Sequence, residues 1–337
     1  FEGYNALYIP GWDCHGLPIE WQIEKQYRKK GKKKEDIDIK DFRDECREFA
    51  NKWIEEQKRS FIRLFVLADW DKPYTTMEFE SEAIILEEFS KFFFNGSLYQ
   101  GSKPVMWSPI EKTALAEAEI EYQDISSTSI YVCFSIKKSS HDFLENTSIV
   151  IWTTTPWTIP GNRAIAFGHA INYCVFEVLE SESTTIINKK YIVAESLLKK
   201  VCESCNIKKF NILKIIKGED LSNITCYHPF SGKGYDYDVP LLAGDFVEEN
   251  EGTGFVHIAP CYGEDDYYLA LDNNIIIKDI VRDDGCYKED TPLFSGIHVF
   301  KAHLIVIEKL KEMNNFLGVR EYSHSYPHSW RSKKPII

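Results

Sequence analysis

Apolar residues recur at helical spacing through much of the first hundred positions. Phe42, Cys46, Phe49, Trp53, Phe61 and Leu64 set one stripe along a long amphipathic helix. Leu86, Phe89 and Phe93 share a face of a second helix that stops at Asn95-Gly96, a pair suited to a C-terminal cap, and that face is expected to be core. The period changes after Gly101. Ala116, Ala118, Ile120 and Tyr122 alternate with Glu117, Glu119 and Glu121, which predicts a strand with one solvated face. Ile130, Val132, Phe134 and Ile136 alternate likewise, and Ser148 to Trp152 is strongly β-forming. Further strands are expected at 173–179, 190–194, 212–217 and 254–258, with helices at 194–204, 264–272 and 300–314. The expected architecture is an α/β N-terminal part followed by a β-rich α+β domain.

Composition narrows the class. With 337 residues, 44% hydrophobic and 27% charged, the chain can build a substantial core in about two domains. A net charge of −12 argues against a broad phosphate-binding surface, although such contacts depend on local basic patches rather than on the total. The one basic run, Arg28-Lys29-Lys30-Gly31-Lys32-Lys33-Lys34, reads first as a solvated loop after a helix. Nine scattered cysteines lack a disulfide spacing, and Cys202-x-x-Cys205 has no second pair to complete a zinc site. No metal site is expected, nor a membrane span, because no stretch reaches the roughly 18 apolar residues required.

Candidate chemistry concentrates in two segments about a hundred residues apart. Trp152-Thr153-Thr154-Thr155-Pro156-Trp157-Thr158 puts three hydroxyls at a strand end, where Pro156 halts the ladder. A threonine run also arises from β-propensity alone. Gly252-Thr253-Gly254-Phe255-Val256-His257-Ile258-Ala259-Pro260 places glycines, which let a backbone approach a ligand closely, beside an imidazole, and it runs on to Asp265-Asp266. Asp265 is expected to cap the helix that follows. Trp157 suits a pocket wall or plain packing equally. No Ser or Cys is evidently paired with a His for nucleophilic attack, although Cys261 lies close to His257 in sequence.

With a third segment, Gly11-Trp12-Asp13-Cys14-His15-Gly16-Leu17-Pro18-Ile19-Glu20, these motifs resemble isoleucyl-tRNA synthetases, class I aminoacyl-tRNA synthetases. Lys103 to Ser108, Thr113 to Glu119 and Ser325 to Arg331 extend the resemblance over essentially the whole chain. The leucine enzymes lack the Cys14-His15 pair, and the valine enzymes diverge further. The family's His-Ile-Gly-His and Lys-Met-Ser-Lys-Ser signatures do not occur here, so the sequence is expected to be an internal piece of the parent.

The resemblance implies a partial class I Rossmann catalytic domain over 1–102 and an outgoing connecting ribbon over 103–125. It implies an editing domain with a β-barrel-like core over 126–318, and a returning ribbon over 319–337. It implies hydrolysis of valine wrongly attached to the 3′ end of tRNA(Ile), with water rather than a covalent intermediate. Thr153, Thr154, Thr155, His257 and Asp266 would form the catalytic group. His257 would shape the pocket against isoleucine, and Asp266 would hold the substrate's α-ammonium. Trp157, Gly252 and Gly254 would contact substrate, and Trp12, Asp13 and His15 would belong to the parent's synthetic site. Editing needs no cofactor; ATP and Mg2+ are implied only for the intact parent, in the cytoplasm or an organelle, with no role for DNA or a membrane. Two positions depart from the common pattern. Ser329 stands where cysteine is frequent, and Ser108 to Lys112 lacks the cysteine pair of some bacterial members. The competing readings are a non-catalytic tRNA-binding piece and the editing region of a leucine or valine enzyme.

Overall fold

The computed structural model describes residues 3–337, and its contacts divide the chain into two compact units at Gly101/Ser102. In the N-terminal unit, β1 (Gly11–Trp12) pairs in parallel with β2 (Tyr74–Thr75). Helices α1 (Leu17–Lys29), α2 (Ile39–Arg63) and α3 (Phe79–Phe94) complete it. Gly16, at φ +98, turns the chain into α1, where Pro18 sits in the first turn and costs no hydrogen bond. Asp38 caps α2 by accepting from the amide of Lys40 at 2.8 Å.

Helix α2 is the one long helix that the spacing predicts; Phe42, Ala50 and Ile54 are its buried residues, while Trp53, Phe61 and, just past its end, Leu64 are exposed. One expectation is corrected: on α3 the stripe of Leu86, Phe89 and Phe93 is exposed at 66%, 55% and 62% rather than forming core. Helical spacing identified an apolar face, but no described residue of this unit buries it.

The C-terminal unit opens with a small hairpin of β3 (Trp107–Ser108) and β4 (Thr113–Ala114). The alternating pattern from Ala116 does not start a strand there. Residues Glu117–Glu119 form a 3-10 turn, and the Glu119 carboxylate accepts from the Ala116 amide at 3.0 Å. The strand begins at Ile120 and runs to Lys138 as β5, with no break at 125/126.

After β5 come β6 (Thr147–Thr153), β7 (Ala164–Phe167), β8 (Asn172–Ser181) and β9 (Lys190–Ala194). Helix α4 (Leu198–Ser204) leads to β10 (Ile207–Lys217), β11 (Thr225–Tyr227), β12 (Asp238–Ala243) and β13 (Phe255–Ile258). Helices α5 (Glu264–Asp272) and α6 (His303–Glu312) precede the last strand, β14 (Phe316–Ser329).

These strands form one mixed ten-stranded sheet of order β10-β8-β9-β6-β5-β11-β12-β7-β13, with β14 also on β5. Strands β14 and β5 pair antiparallel from Ser329↔Ile120 to Val319↔Ile130, and this two-stranded ribbon is continuous with the sheet. The short strands β6, β7 and β9 are apolar on both faces, as strands flanked on each side must be. Most of the unit's buried apolar residues form a single core that includes Ile130, Phe134, Phe176, Tyr173 and Phe230. Strand β13, last in the path, lies back against β6, and this closeness brings the two chemical segments together. Cys202 and Cys205 belong to that core as buried thiols, with burial pushing the Cys202 thiol up to about 12.

Candidate functional site

A cavity of about 500 Å³ lies where β6 and β13 end. Thr153, Thr154, Thr155, Gly252, Gly254, His257 and Asp266 all line it, so two segments a hundred residues apart in sequence share one wall.

Pro156 ends β6 because it has no amide proton for the ladder, and residues Pro156–Gly161 wind into a 3-10 turn instead. The threonines at the break bond locally. Thr155 donates its amide to Thr153 Oγ1 at 3.1 Å, and the two hydroxyls lie 3.2 Å apart. Thr154 contributes a hydroxyl with no hydrogen-bond partner among the described residues.

Across the cavity, Gly252 and Gly254 adopt φ of +77 and +76, which disfavours any side chain. A Cβ on Gly254 would lie 2.4 Å from the Ala194 methyl. The intervening Thr253 carbonyl accepts from the Ala194 amide at 2.7 Å, tying this loop to the end of β9.

His257 is buried and has both ring nitrogens engaged. Asn162 Nδ2 lies 2.8 Å from Nδ1 and 2.9 Å from the Ala164 carbonyl; Thr158 Oγ1 lies 2.8 Å from Nε2 and 2.9 Å from the Thr155 carbonyl. Carbonyls only accept, so Nδ2 and Oγ1 are donors toward them. The consistent assignment is a neutral ring that accepts at Nδ1 and donates from Nε2. Burial pushes its pKa down to about 3. No ring nitrogen is left to take a proton from water. His257 is a wall of fixed shape and not a base.

Asp266 is half-buried at the start of α5. Its Oδ2 accepts from the Ala259 amide at 2.7 Å, and Gly263 makes room for the carboxyl, since a Cβ there would lie 3.0 Å from Asp266 Cγ. Burial raises its pKa to about 6 against the opposing hydrogen bond. A desolvated carboxylate facing a cavity suits an ammonium group. Asp265 does not cap α5: the cap position is Gly263, without a side-chain bond, and Asp265 points outward from the first turn.

Trp157 is placed differently from the expected wall. It is 4% exposed and does not line the cavity; its ring meets Tyr262 edge-on at 5.0 Å, and Tyr262 is the aromatic that does line it. The turn after Pro156 carries Trp157 inward, where its carbonyl accepts from the Tyr287 hydroxyl at 2.6 Å. Asn162, Tyr262, Phe246 and Glu251 were not foreseen. No local sequence signal marked Asn162, whose partner His257 is 95 residues away.

In the N-terminal unit, Trp12 and Asp13 line a cavity of about 590 Å³, and His15 lines another of about 340 Å³. Trp12 Nε1 donates to Gln57 at 2.8 Å, and His15 Nε2 lies 3.0 Å from the Thr76 carbonyl. Arg47, the cation suited to a phosphate here, is engaged by the Met77 carbonyl and Glu82, each at 2.5 Å. No three His, Cys, Asp or Glu side chains are grouped for a metal among the described residues.

Residues 1–314 match the sequence model of the family described as tRNA synthetases class I (I, L, M and V). The isoleucine–tRNA ligase of Pelagibacter ubique is 52% identical over 336 residues, covering 100% of this chain and 37% of that protein. That of Gluconobacter oxydans is 49% identical, again with 100% and 37% covered. The chain thus spans about 37% of the length of these relatives. The editing domain of the P. falciparum cytosolic leucyl-tRNA synthetase aligns at 12% identity and a TM-score of 0.42, covering 59% of this chain and 100% of that one.

Proposed function

Because this chain belongs to the class I tRNA synthetases of the I, L, M and V group, we propose that its C-terminal unit hydrolyses valine wrongly attached to tRNA(Ile). The whole-length protein, in this reading, activates isoleucine with ATP and Mg2+ and charges that tRNA in the cytoplasm.

The observation that carries the reading is one cavity uniting a desolvated carboxylate, three threonines at a broken strand and a histidine locked neutral. Asp266 pairs with the α-ammonium of the aminoacyl ester by a charge-assisted bond. The Thr154 and Thr155 hydroxyls orient a water on the ester carbonyl. Water adds at that carbon and the bond to the ribose oxygen breaks. The ribose oxygen takes one proton, and valine leaves as the carboxylate with the other released to solvent.

His257 fills the space that a larger side chain would need. Isoleucine exceeds valine by one methylene, worth about 1–3 kcal/mol to a pocket, a general magnitude for which the isoleucine enzyme is itself the standard illustration. A second pocket that admits only the smaller residue supplies the remaining fidelity. The test is release of free amino acid when the purified chain meets valyl-tRNA(Ile) or isoleucyl-tRNA(Ile). Valine release with isoleucine retained is expected, and equal release of both would contradict the sieve.

A further inference from the structure

The rim of the candidate cavity is touched by a strand that is not part of its walls. Residues 322, 324 and 326 lie on one face of β14, in the ribbon paired with β5, and their rings form a ladder with centroid spacings of 5.6 Å and 5.6 Å. The upper rung reaches the cavity rim. The Tyr322 ring meets Trp152 edge-on at 5.1 Å and an interplanar angle of 84°, and its hydroxyl donates to Glu251 at 2.7 Å. Both Trp152 and Glu251 line the cavity. Trp152 in turn abuts Gly252, where a Cβ would come 3.4 Å from the indole. Trp152 immediately precedes Thr153, Thr154 and Thr155, so the ribbon strand braces the threonine break at its leading end.

We propose that Tyr322 is a positioning residue, which sets the threonine break and the 251–254 loop by bracing Trp152 and holding Glu251. The proposal rests on the hydrolase reading for its consequence but not for its geometry. An edge-on aromatic pair contributes about 0.5–1.5 kcal/mol beyond area burial, enough to bias a loop without holding up the fold. The ribbon therefore does more than connect: a shift of β14 along β5 moves the rim directly.

The experiment compares the 337-residue chain with Tyr322→Ala, Tyr322→Leu and Tyr322→Phe. Amide hydrogen exchange is followed at residues 152–155 and 251–254 and at core strands β7 and β8. Tyr322→Ala is expected to speed exchange at the two rim segments by about tenfold, equivalent to one pKa unit of free energy, with β7 and β8 unchanged. Tyr322→Phe should restore 152–155 and leave only 251–254 faster. Should Tyr322→Ala lose its fold, Tyr322→Leu keeps the bulk without the aromatic edge and is read in the same way. Unchanged exchange at both rim segments, or an equal rise throughout the unit, overturns the proposal. In valyl-tRNA deacylation the same variants should lose kcat with KM little altered. Absence of deacylation in the parent chain would overturn the hydrolase reading, while the exchange result would still decide the role of Tyr322.

Discussion

Asn162 gives one amide proton to Nδ1 of His257 at 2.8 Å and the other to the Ala164 carbonyl at 2.9 Å, so the imidazole is held in one neutral tautomer. A proton on Nδ1 would face that amide proton head-on. Thr158 completes the arrangement at Nε2, and its own proton goes to the backbone of the threonine break. The wall of the cavity and the threonine turn are therefore one hydrogen-bonded piece.

Replacing Asn162 tests that linkage. Asn162→Ala leaves the Ala164 carbonyl and His257 Nδ1 without their partner in a dry site, at a cost of about 1–3 kcal/mol for a buried group left unpaired. The expected outcome is a lower melting temperature together with loss of the single-tautomer pattern in the ring 15N shifts of His257. An unaltered pattern would mean that some other group fixes the ring.

The pH dependence separates the buried histidines from the carboxylate. His257 and His228 are both pushed down to about 3 by burial, from an ordinary 6.5. Unfolding lets them take up protons between those values, so their contribution to stability is complete above about 6.5 and is lost as pH falls toward 3. Asp266 runs the other way. Raised from 3.8 to about 6, it is more protonated folded than unfolded in that window, so its contribution falls as pH rises through about 6. Two histidines outweigh one carboxylate, and melting temperature should drop on acidification from pH 7 to 4. Hydrolysis should rise with pH to a plateau above about 6, tracking Asp266, while NMR shows no titration of the His257 ring between pH 5 and 8.

Enlarging the cavity is the test of its shape. His257→Ala should let the chain attack isoleucyl-tRNA(Ile), reducing discrimination by the about 1–3 kcal/mol that one methylene carries. A variant that loses valyl-tRNA hydrolysis and still ignores isoleucyl-tRNA would show that the ring is needed for assembly and not as a gate.

The glycine loop makes a stability prediction. Gly254→Ala combines φ +76 with a 2.4 Å approach to Ala194, whereas Gly232→Ala has a similar φ of +82 in open space. Non-glycine residues in that conformation cost about 1–3 kcal/mol, and Gly254→Ala should exceed Gly232→Ala in thermal unfolding because only it also meets a wall. Equal losses would place the strain in the backbone alone.

Much of this was legible in sequence because strands alternate with period two and a short motif carries its own turn. Residues 264–272 and 190–194 fall where the pattern placed a helix and a strand, and the 153–155 and 252–257 segments do meet. Period says which face is apolar but not what covers it, which is why Leu86, Phe89 and Phe93 were expected in a core they do not enter. Ala116 and Ala118 alternate with glutamates yet cap and lie within a 3-10 turn, since small residues carry little periodic signal. Trp157 shows a third limit. Proximity in sequence to the threonines did not say that the proline turn would point its ring away from the cavity. Asn162 was invisible for the opposite reason, because its partner His257 is 95 residues away.

The central claim is that this cavity binds and hydrolyses an aminoacyl ester through Asp266. Its most direct test is single-turnover deacylation of valyl-tRNA(Ile) by the 337-residue chain beside Asp266→Ala and Asp266→Asn, with melting temperatures recorded for each. Without the carboxylate the ammonium is unpaired and the ester misplaced, and a displacement of about 1 Å costs on the order of a hundredfold in rate. The account predicts hydrolysis by the parent chain, a loss of about that size in both variants, and melting temperatures no lower than the parent's. Valyl-tRNA hydrolysis at the parent rate by a folded Asp266→Ala chain would contradict it.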